Sequence, residues 1–102
     1  WSPADATLAI RKLARHERFK ITLTGHASER MAERELIMGD LLYVLKNGYV
    51  YAQPEQATQP DLWKYCIETG SPNSGNRVVR VVVIPDASRL WAKIITVMWA
   101  DE

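Results

Sequence analysis

Cysteine is nearly missing from this chain: Cys66 stands alone among 102 residues. A single thiol excludes an intrachain disulfide and fits a protein of the reducing cytoplasm. Histidine is almost as scarce, with His16 and His26 only, so the ligands for a structural zinc site are too few and neither metal nor cofactor is expected. No apolar run approaches the roughly 18 residues of a membrane span, and no secretory signal is visible, so no membrane partner is expected. The sequence also lacks a phosphate-cradling glycine motif, a G-x-S-x-G elbow, and a close carboxylate pair suited to glycosidase work. The net charge is only +1.

What is present describes one small globular domain. Hydrophobic residues make up 47% of the chain and charged residues 25%, the proportions of a folded soluble protein. The length leaves no room for a second core, so residues 1–102 are read as a single domain. The chain begins with Trp1, not Met, as a trimmed chain or the end of a longer protein would. Its charge is unevenly spread: Arg11 to Arg34 holds seven Arg or Lys against three acids, whereas Glu35 to Asp61 holds four acids against Lys46 alone. A local basic zone on a nearly neutral protein concentrates an anionic ligand.

Local signals give an order of elements. In "WSPADATLAIRKLARHERF", Ser2 is an N-cap, Pro3 suits the first helical position and Asp5 the first turn. Ala6, Ala9, Ile10 and Leu13 follow as a buried stripe, leaving Arg11, Lys12 and Arg15 mostly outward. "FKITL" reads as a strand, the segment from Gly25 to about Glu35 as a second helix, and Gly39 to Lys46 as a third, stopped by Asn47-Gly48. "YVYAQ" is a short strand closed by Pro54, and "PEQATQPD" a polar loop. "LWKYCIET", "NRVVRVVVIP" and "LWAKIITVMW" then form an antiparallel meander, since the intervening turns are too short for parallel crossovers. The fold class is α+β: an N-terminal helix, then two helices packed on one face of a roughly four-stranded antiparallel sheet.

The chemistry gathers around "TLTGHASERMAER". Residues four apart on a helix are displaced by about 40°, so His26, Arg30 and Arg34 share a polar face, with Ala27, Met31 and Ala32 turned to the core. His26 lies in the first turn, where the helix dipole favours neutral imidazole over imidazolium. A neutral imidazole accepts a proton, and guanidiniums hold phosphate oxygens. A solvated helix face with Glu29 and Glu33 as ion-pair partners explains the same spacing. On the strands, Lys64 and Tyr65 lie in the first of the meander, Arg77 lies at the start of the second, and Thr96 shares a face of the last with Met98. Arg80 among valines is either paired with a carboxylate such as Glu68 or turned to a wet groove opposite the helices. Tyr49, Tyr51, Trp63, Tyr65, Trp91 and Trp99 are either core residues or base-stacking surfaces. His, Arg, Lys and Tyr without metal ligands match in-line cleavage of RNA by its own 2′-hydroxyl, which needs proton transfers and stabilisation of a charged phosphorane.

"GHASERMAERELIMGDLLYVLKNGYVY", with "KYCIE", "VVRVVVIP" and "KIITVMWADE" after it, resembles the family called domain of unknown function DUF4258. The resemblance covers roughly residues 20–102, with residues 1–19 as a helical extension, and is carried most specifically by His26, Ala27, Arg30, Met31 and Arg34. That family is usually grouped with the RelE/ParE-like toxins and their ribonuclease-like fold. The resemblance implies a toxin of a toxin–antitoxin pair, acting on RNA, free or ribosome-bound, and held inactive by a cognate antitoxin.

Two functional readings stand side by side. As a metal-independent endoribonuclease, the protein would use His26, Arg30, Lys64 and Arg80 as catalytic residues, with Arg34, Tyr65, Arg77 and Thr96 binding substrate. As a ParE-like or interaction module it would instead inhibit a target such as DNA gyrase by binding, because a shared fold does not fix the chemistry.

Overall fold

The computed structural model describes residues 1–59, 61–75 and 77–102. Among them are three α-helices and six strands: α1 (Pro3–Ala14), β1 (Lys20–Leu23), α2 (Gly25–Glu33), α3 (Met38–Asn47), β2 (Tyr49–Val50), β3 (Glu55–Gln56), β4 (Trp63–Gly70), β5 (Val78–Asp86) and β6 (Trp91–Trp99). Pro60, in the polar loop, and Asn76, where the meander's middle strand was expected to begin, lie outside the described residues.

The β4–β5–β6 meander is antiparallel, as the short turns require. The sheet is nevertheless mixed and wider than four strands, in the order β1-β6-β5-β4-β2, with β3 also pairing with β4. This corrects the expectation of a roughly four-stranded antiparallel sheet. Parallel β1 joins β6 with Lys20 beside Trp91 and Leu23 beside Ile94. The long intervening chain supplies the crossover that a parallel pair needs. The expected strand "YVYAQ" shortens to β2, which pairs with the end of β4, and β3 forms inside the segment expected as a polar loop and pairs with the beginning of β4. Pro54, which has no backbone N–H to donate, stands between the two.

The two faces of the sheet follow from strand alternation. Val79, Val81 and Val83 of β5 are fully buried, with Ile67 of β4 and Ile94 and Val97 of β6. Ala6, Ile10, Ala27, Met31, Leu41, Val44 and Leu45 pack on that side, so all three helices contribute to one core on one face. Ala32, expected in the core stripe of α2, is exposed instead.

The first helix is built into this core. Ser2 caps it by accepting from the Asp5 N–H, and Ala6, Ile10, Leu13 and Ala14 are buried. Arg11 and Arg15, expected to face outward, reach across to the end of α3. Arg11 donates to the carbonyls of Gly48 (2.9 Å) and Asn47 (3.0 Å), and Arg15 to that of Lys46 (2.8 Å). The last carbonyls of a helix lack internal partners and carry its negative dipole end, so two guanidiniums there satisfy both needs. Thr7 Oγ1 accepts from the buried Val50 N–H at 2.8 Å, which ties α1 to β2.

Candidate functional site at the α2–β6 edge

A β-bulge in β6 sets the site. Val82 pairs with Thr96 but Val83 pairs with Ile94, so Ile95 is the extra residue. The insertion keeps Ile94 and Val97 in the core while turning Thr96 and Met98 to the sheet's other, open face. Thr24 fixes helix and bulge together: its Oγ1 accepts from the Ala27 N–H (3.0 Å), capping α2, and donates to the Ile95 carbonyl (2.9 Å). β1 stops at Leu23, and α2 occupies the edge of β6 beyond it, with Ala27 and Met31 inward and its polar face towards the open side. The C-terminus of α2 closes in a Schellman arrangement, with Glu35 donating to Ala32 and Leu36 to Met31. Glu35 takes φ +55° there, a conformation usually left to glycine.

The result is a cleft of about 250 Å³ lined by His26, Arg30, Arg34, Thr96, Met98 and Glu102. The expected common face of His26, Arg30 and Arg34 therefore exists, and Thr96 joins it from β6. His26 is exposed, and its Nε2 accepts from Arg30 Nε at 3.4 Å. Arg30 Nη1 also contacts Glu33 at 3.3 Å. Arg34 is fully engaged. Its Nε and Nη2 donate to the two Glu102 oxygens, and its Nη1 to Glu33 and to the Arg30 carbonyl. Arg34 thus braces the cleft wall and leaves Arg30 as its accessible cation.

Arg80 lies on the same open face, paired with Met98 of β6 on one side and Glu68 of β4 on the other. Of the two alternatives raised by its sequence setting, the carboxylate partner is the one observed. Nε donates to Glu68 Oε2 at 2.8 Å and the guanidinium lies 5.0 Å from the Tyr51 ring centroid. Its Nη groups carry no hydrogen bond among the described residues, and Arg80 is not among the residues that line the His26 cleft. Strand spacing of about 4.8 Å puts Arg80 one strand from the His26 cleft.

Three expected site residues are not brought there. Tyr65 is 3% exposed on the core face, its ring 5.8 Å from that of Trp1, because alternation turns it opposite to Lys64. Arg77 stacks 4.1 Å above the Trp99 ring and pairs with Asp101 at 2.8 Å, on the helix-bearing side. Lys64 shares the open face but lines a separate cleft with Lys93. Of the candidate stacking aromatics, Tyr49, Tyr51 and Trp63 are exposed. Sequence reasoning missed Glu102. No local pattern links it to Arg34, from which it is separated by 68 residues. Among the described residues, no group of three His, Cys, Asp or Glu side chains is placed to hold a metal ion.

Fold and cleft together define an α+β domain that carries an imidazole and an arginine on the rim of an open sheet face. The family model described as domain of unknown function (DUF4258) matches residues 23–99, and the chain belongs to that family. The match begins after α1. No curated protein and no solved structure matches the chain.

Proposed function

We propose that the protein is a metal-independent endoribonuclease of RelE/ParE-like fold, a cytoplasmic toxin restrained by a partner antitoxin. The observation that carries this reading is the acceptor Nε2 of His26 beside Arg30 and Thr96 at the rim of an open face. A substrate phosphate draws Arg30 away from the imidazole, since an anionic phosphodiester attracts a guanidinium more strongly than a neutral ring does, and the attraction grows as the phosphorane forms. Nε2 is then free to take the proton of the ribose 2′-hydroxyl. The 2′-oxygen bonds to phosphorus, the bond to the 5′-oxygen breaks, and the leaving oxygen takes up a proton from water. The products are a 2′,3′-cyclic phosphate and a 5′-hydroxyl. Arg30 and the Nη groups of Arg80 hold the non-bridging oxygens, and the Thr96 hydroxyl orients the phosphate.

A second reading is favoured by the carboxylates. Glu102 and Glu68 already hold Arg34 and Arg80, and a surface whose cations are internally paired suits occupancy of a protein target, such as DNA gyrase, without chemistry.

Incubating purified protein with a defined single-stranded RNA and with ribosome-bound mRNA, both in EDTA, separates the two. The nuclease reading expects cyclic-phosphate ends that disappear in a folded His26→Ala variant. Cleavage that persists in that variant removes His26 from the mechanism. No cleavage of either substrate, together with inhibition of gyrase supercoiling, replaces the nuclease with the binding module.

A further inference from the structure

We infer that the cleft beside Lys64 and Lys93 is a second nucleotide subsite, holding the base and phosphate next to the scissile linkage; this rests on the ribonuclease reading above. The cleft is larger than the His26 cleft, about 410 Å³ against about 250 Å³. Its floor is apolar, formed by Ile84 and the bulged Ile95, and Leu62 closes one wall. Trp91 forms another, its Nε1–H held by Thr22 Oγ1 at 2.9 Å. Lys93 is the direct cross-strand partner of Ile84, and Lys64 flanks the same floor from β4.

The ion pairing of these lysines differs from that of Arg34 and Arg80. Arg34 and Arg80 have close carboxylates, at 2.6 and 2.8 Å. Lys93 has no ion pair among the described residues, and Lys64 has one long contact, 3.9 Å, to a Glu55 side chain that is 81% exposed. Such an exposed pair contributes little. Two ammonium groups beside an apolar floor and a fixed indole therefore have one weak, exposed counter-charge between them, and they match a flat, anionic ligand. A nucleotide supplies both a base to stack and a phosphate to pair.

Position along the strand links the two clefts. Lys93 precedes Thr96 by three residues, roughly 10 Å at about 3.3 Å per residue. The bulge at Ile95 keeps both on the open face. A single strand laid along β6 meets Arg30 and Thr96 at the scissile phosphate, then Lys93, Trp91 and Lys64 at its neighbour. Lys64 thus belongs to substrate binding, away from the reacting atoms.

The test uses a fluorescent single-stranded oligouridylate methylated at every 2′-oxygen, so that binding is read without cleavage. Its anisotropy is followed over a series of salt concentrations with wild type, a Lys64→Gln/Lys93→Gln variant and an Arg30→Gln variant. Circular dichroism establishes that each is folded. The inference expects the double variant to bind about tenfold more weakly. It also expects the slope of log affinity against log salt to shrink by about 1.4, from roughly 0.7 per lost contact on a single strand. An unchanged affinity and slope in the double variant, with binding weakened by Arg30→Gln, overturns the subsite and leaves the ribonuclease site standing. A wild type that does not bind the strand overturns the subsite, and cleavage of ribosome-bound mRNA then decides the ribonuclease reading separately. Polyglutamate bound as tightly as the strand, with the same loss in the double variant, overturns RNA as the ligand class.

Discussion

Arg34 and Glu102 meet as a forked pair, Nε on one carboxylate oxygen at 2.7 Å and Nη2 on the other at 2.6 Å. The same carboxylate accepts from the Trp99 backbone N–H at 2.7 Å. The pair fastens the end of β6 to the end of α2 and closes one side of the His26 cleft.

That pair makes stability depend on acid. The hydrogen bonds from Arg34, and then that from Trp99, hold the Glu102 carboxyl at about 2, below its ordinary 4.5. A folded-state value below the unfolded one stabilises above the unfolded value and is lost as pH falls through the folded one. The contribution is therefore present above pH 4.5 and disappears towards pH 2. Thermal unfolding of Glu102→Gln across that window is expected to show a smaller fall in midpoint than wild type. Parallel pH profiles for the two proteins would show that the pair contributes nothing.

Asp40 is a buried carboxylate, 3% exposed, at the start of α3. It accepts from the Ile37 N–H (2.9 Å), the Ser71 hydroxyl (2.6 Å) and Asn73 Nδ2 (3.1 Å), so it caps the helix and ties down the β4–β5 loop. Burial pushes its pKa up, but the Ile37, Ser71 and Asn73 hydrogen bonds prevail and hold it below 3.8. Its contribution is therefore present above pH 3.8 and lost as pH falls below that value. Asp40→Ala strands these donors and is expected to cost about 2–3 kcal/mol. A lower urea midpoint with an unchanged slope is the signature.

Gly48 has no room for a side chain. A Cβ there would lie 2.5 Å from the Val44 carbonyl oxygen and 2.8 Å from Ile67 Cγ1. Its φ of −77° suits any residue, so the obstacle is steric. Gly48→Ala is expected to destabilise by about 1–3 kcal/mol. Gly39→Ala, where the nearest atom is 3.6 Å away, is expected to stabilise by about 0.5–1 kcal/mol. Paired thermal melts of the two variants check the contrast, and equal shifts would remove the steric account.

What could be read from the sequence was local. The Ser2 cap, the His26–Arg30–Arg34 spacing, the stop at Asn47-Gly48 and the alternation along β5 are all written in neighbouring residues, and each appears where expected. The pairings that cross the chain were not legible. No residue near "KITL" announces a parallel partner in β6, and nothing in "MWADE" points to Arg34. Tyr65 was misplaced because chemistry was weighed ahead of alternation: a residue beside Lys64 on a strand must face the other way. Met38-Gly39-Asp40 also hides its cap, since the capping oxygen comes from Asp40, within the helix, while the N-cap position is Ile37.

The bond from Thr24 to the Ile95 carbonyl joins residues 71 positions apart. It has a consequence for how the protein is made. One wall of the His26 cleft is synthesised early, and the other, Thr96 and Met98, emerges only with the final strand. Closing so long a loop is entropically unfavourable until β6 is present to reward it. A nascent chain still lacking β6 therefore carries His26 on a helix without its opposing wall, and a truncated product has no cleft at all. Translation itself delays assembly of the site until the rest of the sheet exists.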